Sequence, residues 1–364
     1  MKQLKMLIIH NSNSRVGIDG ISKVIYNYYS AMDKKDFIID FVFIYAPYSE
    51  LKDEIKKTGG SIFILERKIK NIYTYTKELK KIIKEGNYNI VYAHGNSRTL
   101  SIELYAAKSS GVKARIAHVH TNECKYKTLH YILKPFFNRL YTQGFACSGL
   151  AGKCLFGKRP FIVLNNSFDV NAFKFDGQLR KKYREEFNIG GKTVIGHVGF
   201  LDYGKNHKFL IKTFAEYNKI NPDAILFLIG IGSLQQTIYD MVASLKLQDS
   251  VIFAGQKANV NELLNIFDCF VFPSLAEGFG IAMMEAQANG LTVIASENRI
   301  PKEVSVNNNF FFLPLEEGER KWAEKIAAVS FKRCPEAVDN LTKAGFHIKT
   351  EAGKLEELLK KMAL

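Results

Sequence analysis

Short apolar runs alternate with amphipathic stretches along the whole chain. In the first half the predicted strands are KMLIIH, FIIDFVFI, SIFIL, NIVYAH, ARIAHVH and GFACS, and stretches such as ISKVIYNYYSAM and TYTKELKKIIKEG show helical spacing between them. In the second half the predicted strands are TVIGHVG, AILFLIG, SVIFAG, DCFVFPS and LTVIAS, separated by KFLIKTFAEYNK, SLQQTIYDMVASLKL, NVNELLNIF and IAMMEAQAN. Apolar strands that alternate with helices predict β-α-β units and parallel sheets.

Two such series predict an α/β fold of two doubly wound, Rossmann-like domains. Strand patterning lapses in the polar stretch 165–192, so we expect domains at residues 1–170 and 171–345. The last segment, 346–364, contains KTEAGKLEELLKKMAL, a strongly amphipathic helix with no strand after it. A length of 364 residues agrees with two domains of ordinary size.

The composition is that of a globular protein, with 47% hydrophobic and 24% charged residues, but the net charge of +15 is high. This charge implies an anionic partner, which could be nucleic acid, a membrane surface or a phosphate-bearing substrate. The N-terminal apolar run is short, no run reaches the roughly 18 apolar residues of a membrane span, and the five cysteines form no C-x-x-C pair. We therefore expect a cytoplasmic protein with reduced thiols.

The stretch FPSLAEGFGIAMMEAQANG reads as a strand end, a glycine-rich turn and a helix. Phe279, Gly280 and Ile281 would then present backbone N–H groups at the helix N-terminus, where the helix dipole favours an anion such as phosphate. A carboxylate does not suit that anion, so Glu277 is expected to accept hydrogen bonds from hydroxyl groups beside it. Spacing alone leaves open that Glu277 is a helix-start acid and Glu285 a solvated helix residue.

A second candidate is the loop in HVGFLDYGKNHKFLIKTF, where Lys205 precedes a helix and could supply a point charge for phosphate. Other phosphate and metal motifs are missing from the sequence. There is no Asp-x-Asp pair, no G-x-x-x-x-G-K-[ST] loop, and FLIGIGSL has Gln235 at the third glycine position of a dinucleotide motif. The first absence argues against a divalent metal held on a diphosphate by such a pair. The other two argue against P-loop and nicotinamide enzymes.

Taken together, these segments resemble the family 4 retaining glycosyltransferases, which have the GT-B fold. The hallmark of that family is similar to VFPSLAEGFGIAMMEAQANGLTVIAS. Further matches in the second half, in the order and spacing of the family, are GFLDYGKNHKFLI, FLIGIGSL and VIFAG. In the first half, the segments that resemble those of the family are DGISKVIYNYY, IVYAHG, RIAHVHTN, FACS and LNNSFD. The resemblance covers nearly the whole chain and is strongest for the subgroup that makes capsular and other exopolysaccharides.

The resemblance implies a nucleotide-diphosphate sugar in a cleft between an acceptor-binding first domain and a donor-binding second domain, with the C-terminal helix packed back on the first. It implies that Glu285 binds the ribose hydroxyls, that Glu277 contacts the transferred sugar, and that Lys205 and the amides after Glu277 hold the diphosphate. The helix dipole and Lys205 would do this without metal, and we expect no cofactor.

Two positions depart from the family pattern. Phe200 stands where the family has an arginine, and Asp19 replaces the first of two paired glycines while Gly20 remains where the loop would approach the phosphate. A phenyl ring cannot stabilise a leaving diphosphate. The alternative hypothesis is therefore a catalytically silent GT-B protein that binds a glycan or escorts a partner transferase.

Histidines mark the strand ends of the first half. His118 and His120 lie on one face of the predicted strand in RIAHVHTN, because strand side chains alternate. A metal site is not expected, because no third ligand has recognisable spacing, and both rings could be ordinary strand-end residues. The resemblance implies that His120 lies beside the donor sugar, where a neutral imidazole could bind a hydroxyl or relay a proton. His94, also at a strand end, is a lesser candidate.

The segment KYKTLHYILKPFFNRLYT, residues 125–142, mixes aromatic and basic residues. It could stack on nucleic acid bases, pack as an ordinary helix, or face an anionic membrane that carries a lipid-linked acceptor. Nucleic acid binding rests on charge alone and is not expected. The sequence thus predicts a hexosyltransferase, peripheral on the inner face of the cell membrane, that acts on a glycan or lipid-linked oligosaccharide in capsule or exopolysaccharide synthesis.

Overall fold

The computed structural model describes residues 3–10, 20–47, 49–66, 70–121 and 127–363, apart from the side chains of Glu50 and Lys127. The chain divides into two compact units. Unit 1 comprises Met1–Phe168 and Gly345–Leu364, and unit 2 comprises Asp169–Ala344. The sequence had placed the corresponding boundaries at residues 170 and 345.

The described part of unit 1 contains a parallel sheet of seven strands in the order β3-β2-β1-β4-β5-β6-β7. The central strands are apolar because helices cover both faces of such a sheet, and all five residues of β4 are buried. The strands are β1 (Leu4–His10), β2 (Phe37–Phe43), β3 (Ile62–Ile64), β4 (Ile90–His94), β5 (Ala114–Val119), β6 (Gln143–Ala146) and β7 (Ile162–Val163).

Some helices of unit 1 follow apolar stripes that the sequence predicts, and some end at identifiable caps. In α3, for example, the Asn71 side chain accepts a hydrogen bond from the Thr74 N–H, and Asn87 closes the helix in the left-handed conformation. The helices of unit 1 are α1 (Gly20–Ala31), α2 (Ser49–Lys57), α3 (Ile72–Gly86), α4 (Ser101–Ser109), α5 (Lys127–Ile132), α6 (Lys134–Phe137), α7 (Gly149–Phe156) and, last in the chain, α15 (Ile348–Ala363).

The C-terminal helix α15 belongs to unit 1. Its residues Ile348, Ala352, Leu355 and Leu359 form one buried stripe with helical spacing. The helix packs against α1, and the Glu356 carboxylate accepts a hydrogen bond of 2.8 Å from the Asp33 N–H.

In unit 2 the described residues form a parallel sheet in the order β10-β9-β8-β11-β12-β13. Trp322 is fully buried in its core, edge-to-face with Phe209. The strands are β8 (Val194–Val198), β9 (Ile225–Ile229), β10 (Val251–Gly255), β11 (Cys269–Phe272), β12 (Thr292–Ser296) and β13 (Phe310–Leu313). The helices are α8 (Gly177–Glu186), α9 (His207–Ile220), α10 (Gln235–Ser244), α11 (Val260–Leu263), α12 (Ile281–Ala288), α13 (Gly318–Ala328) and α14 (Ala337–Lys343).

The polar stretch 165–192, where strand patterning lapses, contains a helix that the sequence did not reveal. In α8 the Asp176 side chain caps the N-terminus by accepting from the N–H groups of Gln178 and Leu179. Salt bridges rather than an apolar stripe anchor this helix, since Arg180 and Arg184 both pair with Asp268. Helical periodicity of apolar residues could not have shown it.

Each sheet reverses its strand order once, between β1 and β4 in unit 1 and between β8 and β11 in unit 2. In open α/β sheets, ligands bind outside the carboxyl ends of the strands at such a reversal. Both sets of candidate residues lie at these places.

Candidate functional site

In unit 2, two turns meet at the strand reversal. The turn 199–206 connects β8 to α9, and the turn 273–280 connects β11 to α12. Because β8 and β11 are paired, with Phe270 opposite Gly196, their carboxyl ends bring the two turns side by side. The two stretches singled out from the sequence therefore belong to one site.

Hydrogen bonds tie the two turns together. The Leu275 N–H donates to the Gly204 carbonyl at 2.9 Å, and the Asn206 side-chain amide donates to the Pro273 carbonyl at 3.1 Å. The Lys205 ammonium donates to the Glu277 carboxylate, and the two side chains are only 21% and 12% exposed. Lys205 and Glu277, predicted separately for phosphate and for hydroxyl groups, thus form one ion pair.

The start of α12 explains the glycine at position 280. Gly280 is the N-cap residue and has φ +75, a conformation that favours glycine, and a Cβ there would collide with the Met283 methyl group. No side chain caps this end of the helix, which directly follows the turn that carries Glu277, and the Met283 N–H donates to the Gly280 carbonyl at 3.0 Å. Phe279, just before the N-cap, is buried at 4% exposure.

Glu285 lies within α12 and is 2% exposed. The alternative that it is a solvated helix residue is therefore wrong. A carboxylate withdrawn this far from water loses its hydration and needs polar partners, and Glu285 does have interactions within the fold.

The loop after β9 packs directly on the turn that carries Lys205. A Cβ at Gly230 would collide with the Gly199 carbonyl, and one at Gly232 with the Leu201 carbonyl. The glycines of FLIGIGSL therefore serve close backbone packing. Phe200 is half-buried in the same turn, where Lys205 is the only basic residue.

Two histidines beneath this turn were missed by the sequence analysis. His197 on β8 and His207 at the start of α9 are buried edge-to-face, with ring centroids 4.7 Å apart. The His197 Nδ1–H donates to the Val271 carbonyl at 2.8 Å, whereas neither ring nitrogen of His207 has a hydrogen-bond partner. Burial and the nearby Lys205 charge lower the pKa of His207 to about 4, so its ring is neutral at pH 7. A polar ring inside the strand run TVIGHVG was the available signal.

In unit 1 the carboxyl ends of three adjacent strands carry histidines. The strand register pairs His10 with His94 and His94 with His118, and His120 follows two residues later on the same face as His118. A hydrogen bond of 2.9 Å joins the His94 Nδ1 to the His120 Nε2, and one of 2.8 Å joins the Tyr92 hydroxyl to the His118 Nδ1.

Burial, and then the proximity of His120, lower the pKa values of His94 and His118 well below the usual range. His120 itself is 6% exposed. Strand spacing had grouped only His118 and His120. His94, named separately from the sequence as a lesser candidate, joins them from the neighbouring strand β4.

Gly20 begins α1, after β1 and beside the strand reversal of unit 1. It is exposed, has no positive φ, and a Cβ there would meet nothing within 4 Å. Its own conformation therefore does not require glycine. Asp19, the departure noted beside it, lies outside the described residues.

Residues 180–347 match the family described as Glycosyl transferases group 1. The chain is 30% identical over 353 residues to the putative glycosyltransferase EpsF of Bacillus subtilis (strain 168), and this match covers 92% of each chain. It is 27% identical over 307 residues to an Escherichia coli protein named UDP-Gal:alpha-D-GlcNAc-diphosphoundecaprenol alpha-1,3-galactosyltransferase, with 77% of each chain covered.

Among solved structures, HepE from Anabaena in complex with UDP and glucose is similar with a TM-score of 0.78, over 98% of this chain and 100% of that one, at 18% identity. At this identity the likeness shows the fold, and the predicted pair of doubly wound Rossmann-like units is confirmed. The family match contains Lys205, Glu277 and Glu285.

Proposed function

Because the chain belongs to the group 1 glycosyl transferases, we propose that it moves a hexosyl unit, with retention, from a nucleotide-diphosphate sugar to a lipid-linked polysaccharide intermediate. The observation that carries this proposal is the Lys205–Glu277 pair beside the uncapped start of α12. The site combines a cation, backbone donors and a carboxylate. A sugar diphosphate carries the matching groups, which are an anion and adjacent hydroxyls.

In this proposal the diphosphate lies against the start of α12, where Gly280 and Ile281 begin the helix, and takes over the Lys205 ammonium from Glu277. Charge that develops on the leaving diphosphate is stabilised by fixed dipoles and one cation, without a divalent metal. Glu277, released from Lys205, accepts hydrogen bonds from the transferred sugar. Glu285 is assigned to the ribose and His120 to a sugar hydroxyl on the family resemblance.

The departure at Phe200 does not leave the turn without a cation. The backbone of Lys205 is fixed by the Asp202 carboxylate, which accepts a hydrogen bond of 3.0 Å from the Lys205 backbone N–H. Its ammonium also lies over the Phe272 ring, with Nζ 4.9 Å from the ring centroid. A preorganised lysine supports an active enzyme. No comparison favours the catalytically silent alternative.

The test is release of nucleoside diphosphate from a panel of nucleotide sugars, with a lipid-diphosphate glycan as acceptor. We expect Lys205→Ala and Glu277→Ala each to lower turnover about a hundredfold or more, the scale for losing a preorganised electrostatic contact. Lys208→Ala is the matched control, because Lys208 is an exposed lysine on the first turn of α9. Near-wild-type turnover in the two site variants would refute the assignment.

The acceptor and the membrane contact are supported by one surface of unit 1. The segment that contains α5 and α6 is anchored to unit 1, because Arg98 donates to the His130 carbonyl at 3.0 Å and Phe137 is fully buried. Other apolar side chains of the same two helices are exposed to solvent. We call this surface the α5–α6 patch; it consists of Leu129, Tyr131, Ile132 and Phe136, which are 44–71% exposed, with the exposed basic residues Lys134 and Arg139. Lys125, the first residue of the segment 125–142 considered in the sequence, lies outside the described residues.

Aromatic and aliphatic side chains flanked by positive charge suit the headgroup region of an anionic bilayer. We propose that the chain works there, at the cytoplasmic face. In the part of the chain that the structure covers, no helix has the length and hydropathy to span a bilayer.

Sedimentation with vesicles tests this contact. Vesicles of phosphatidylcholine with phosphatidylglycerol should retain the wild-type chain, and the double variant Tyr131→Ser, Phe136→Ser should bind them at least about tenfold more weakly, the scale for losing more than 1.4 kcal/mol of apolar burial. Tyr73→Ser, which changes a 76% exposed tyrosine on α3, should bind normally. Equal binding of the double variant and the wild type would refute the role of the patch.

A further inference from the structure

The histidine cluster of unit 1 has the geometry of a metal site that strand spacing did not reveal. One ring nitrogen from each of His94, His118 and His120 lies within 4.8 Å of the other two. We propose that these three imidazoles bind one Zn²⁺ or similar borderline divalent ion.

The three ligand atoms, which lie within 4.8 Å of one another, must come to tetrahedral spacing around such an ion by movement of the side chains. Zinc binds histidine nitrogen at about 2.0–2.1 Å, which places two tetrahedral ligands about 3.4 Å apart. The His94 Nδ1 and the His120 Nε2 are already 2.9 Å apart and share a proton. The ion would take the place of that proton, which would move to the other nitrogen of the same ring. The two ligand nitrogens would then lie about half an ångström farther apart than they do now.

His118 is arranged as metal ligands commonly are. Its Nδ1 is joined to the Tyr92 hydroxyl, while its Nε2 is buried and has no hydrogen-bond partner. In metal sites the second ring nitrogen usually bonds to a neighbouring polar group, which fixes the tautomer and the ring orientation. A buried polar atom without a partner is also costly, which a bound ion would relieve.

The surroundings set the character of the site. All three rings are buried, and burial favours the neutral imidazole, which is the form that binds metal. A cavity borders His94, His118 and Tyr92, so there is room beside two of the ligands. Since all three ligands are uncharged, the ion keeps its charge in an apolar setting, and we expect weaker binding than at sites with thiolate or carboxylate ligands.

Calorimetric titration of the full chain with Zn²⁺, without donor or acceptor, tests the site. The wild type should bind one equivalent. Tyr92→Phe, which removes only the hydroxyl behind His118, should weaken binding about 10- to 100-fold. His118→Phe should weaken it further, and it keeps an aromatic ring between Tyr92 and Phe145.

His207→Phe is the matched control, because it removes a buried histidine in unit 2 and should leave Zn²⁺ binding unchanged. Absence of a bound equivalent in the wild type would overturn the proposal. So would wild-type affinity in both Tyr92→Phe and His118→Phe, since binding would then belong to other groups.

The site has a consequence for transfer, and this consequence rests on the proposed function. A metal held by His120 withdraws that ring from the sugar, so Zn²⁺ should inhibit the wild type but not His118→Phe. The titration contains no substrate, so lack of binding overturns the metal site alone. Lack of transfer in the metal-free wild type, by contrast, overturns the function alone.

Discussion

Replacing Glu277 with glutamine should tighten the binding of a free nucleoside diphosphate and at the same time slow sugar transfer. In the structure the Lys205 ammonium is engaged by the Glu277 carboxylate, and both side chains are largely withdrawn from water. An incoming diphosphate must take this ammonium from the carboxylate and then lie beside the remaining negative charge. Glutamine removes the competing charge and keeps the shape of the side chain.

The magnitude follows from the contact at stake. A hydrogen bond to a charged group contributes about 1.5–3 kcal/mol, which corresponds to roughly 10- to 150-fold in affinity. Lys205→Met should therefore weaken diphosphate binding by about this factor. Glu277→Gln should strengthen diphosphate binding by up to about tenfold, because the Glu277 carboxylate competes with the diphosphate for the Lys205 ammonium. Transfer should fall in both variants, since glutamine binds the sugar hydroxyls less strongly than a carboxylate does.

Isothermal titration with UDP and other nucleoside diphosphates measures the first effect, and diphosphate release from the matching nucleotide sugar measures the second. Glu316→Gln is the control, because Glu316 forms an exposed ion pair with Arg299, whose carbonyl accepts from the Glu277 N–H. If Glu277→Gln weakened diphosphate binding as Lys205→Met does, the competition between carboxylate and diphosphate would be refuted.

The remaining predictions concern metal, glycine and pH. Chelation with EDTA should leave transfer unchanged, and loss of activity that Mg²⁺ or Mn²⁺ restores would contradict the proposed mechanism. Gly280→Ala should lower the free energy of unfolding by about 1–2 kcal/mol, because φ is +75 there, whereas Gly177→Ala at the open start of α8 should not; equal effects would remove the argument. The pKa of His207 is about 4 in the folded chain and 6.5 in the unfolded chain. Between pH 4 and pH 6.5, unfolding therefore takes up a proton at this ring. The contribution of His207 to the free energy of unfolding, which is fully present above pH 6.5, falls by about 3 kcal/mol as the pH drops to 4. His207→Phe should flatten this dependence in urea unfolding followed by Trp322 fluorescence, since Trp322 is the only tryptophan and lies in the core of unit 2, and an unchanged slope would contradict the assignment.

Much of the fold was readable from local pattern. Buried parallel strands are short apolar runs and their covering helices carry apolar stripes, so KMLIIH and KFLIKTFAEYNK indicated β1 and α9 directly. The pattern did not reveal α8, which Arg180 and Arg184 hold through Asp268, or β13, whose residues are mostly half-buried at the edge of the sheet. A helix anchored by salt bridges and a half-buried strand at the sheet edge do not produce a periodic pattern of apolar residues in the sequence.

The sequence alone determined which residue types could bind a donor, because the turn at Glu277 and the lysine at position 205 each carry their chemistry in a short stretch. Tertiary structure decided which of them meet. Lys205 and Glu277 are 72 positions apart, and they pair only because the strand order places β8 beside β11. His94 joins His118 and His120 for the same reason, through the pairing of β4 with β5. Side chains at the ends of neighbouring parallel strands become close whatever their separation along the chain, and that adjacency is a property of the sheet.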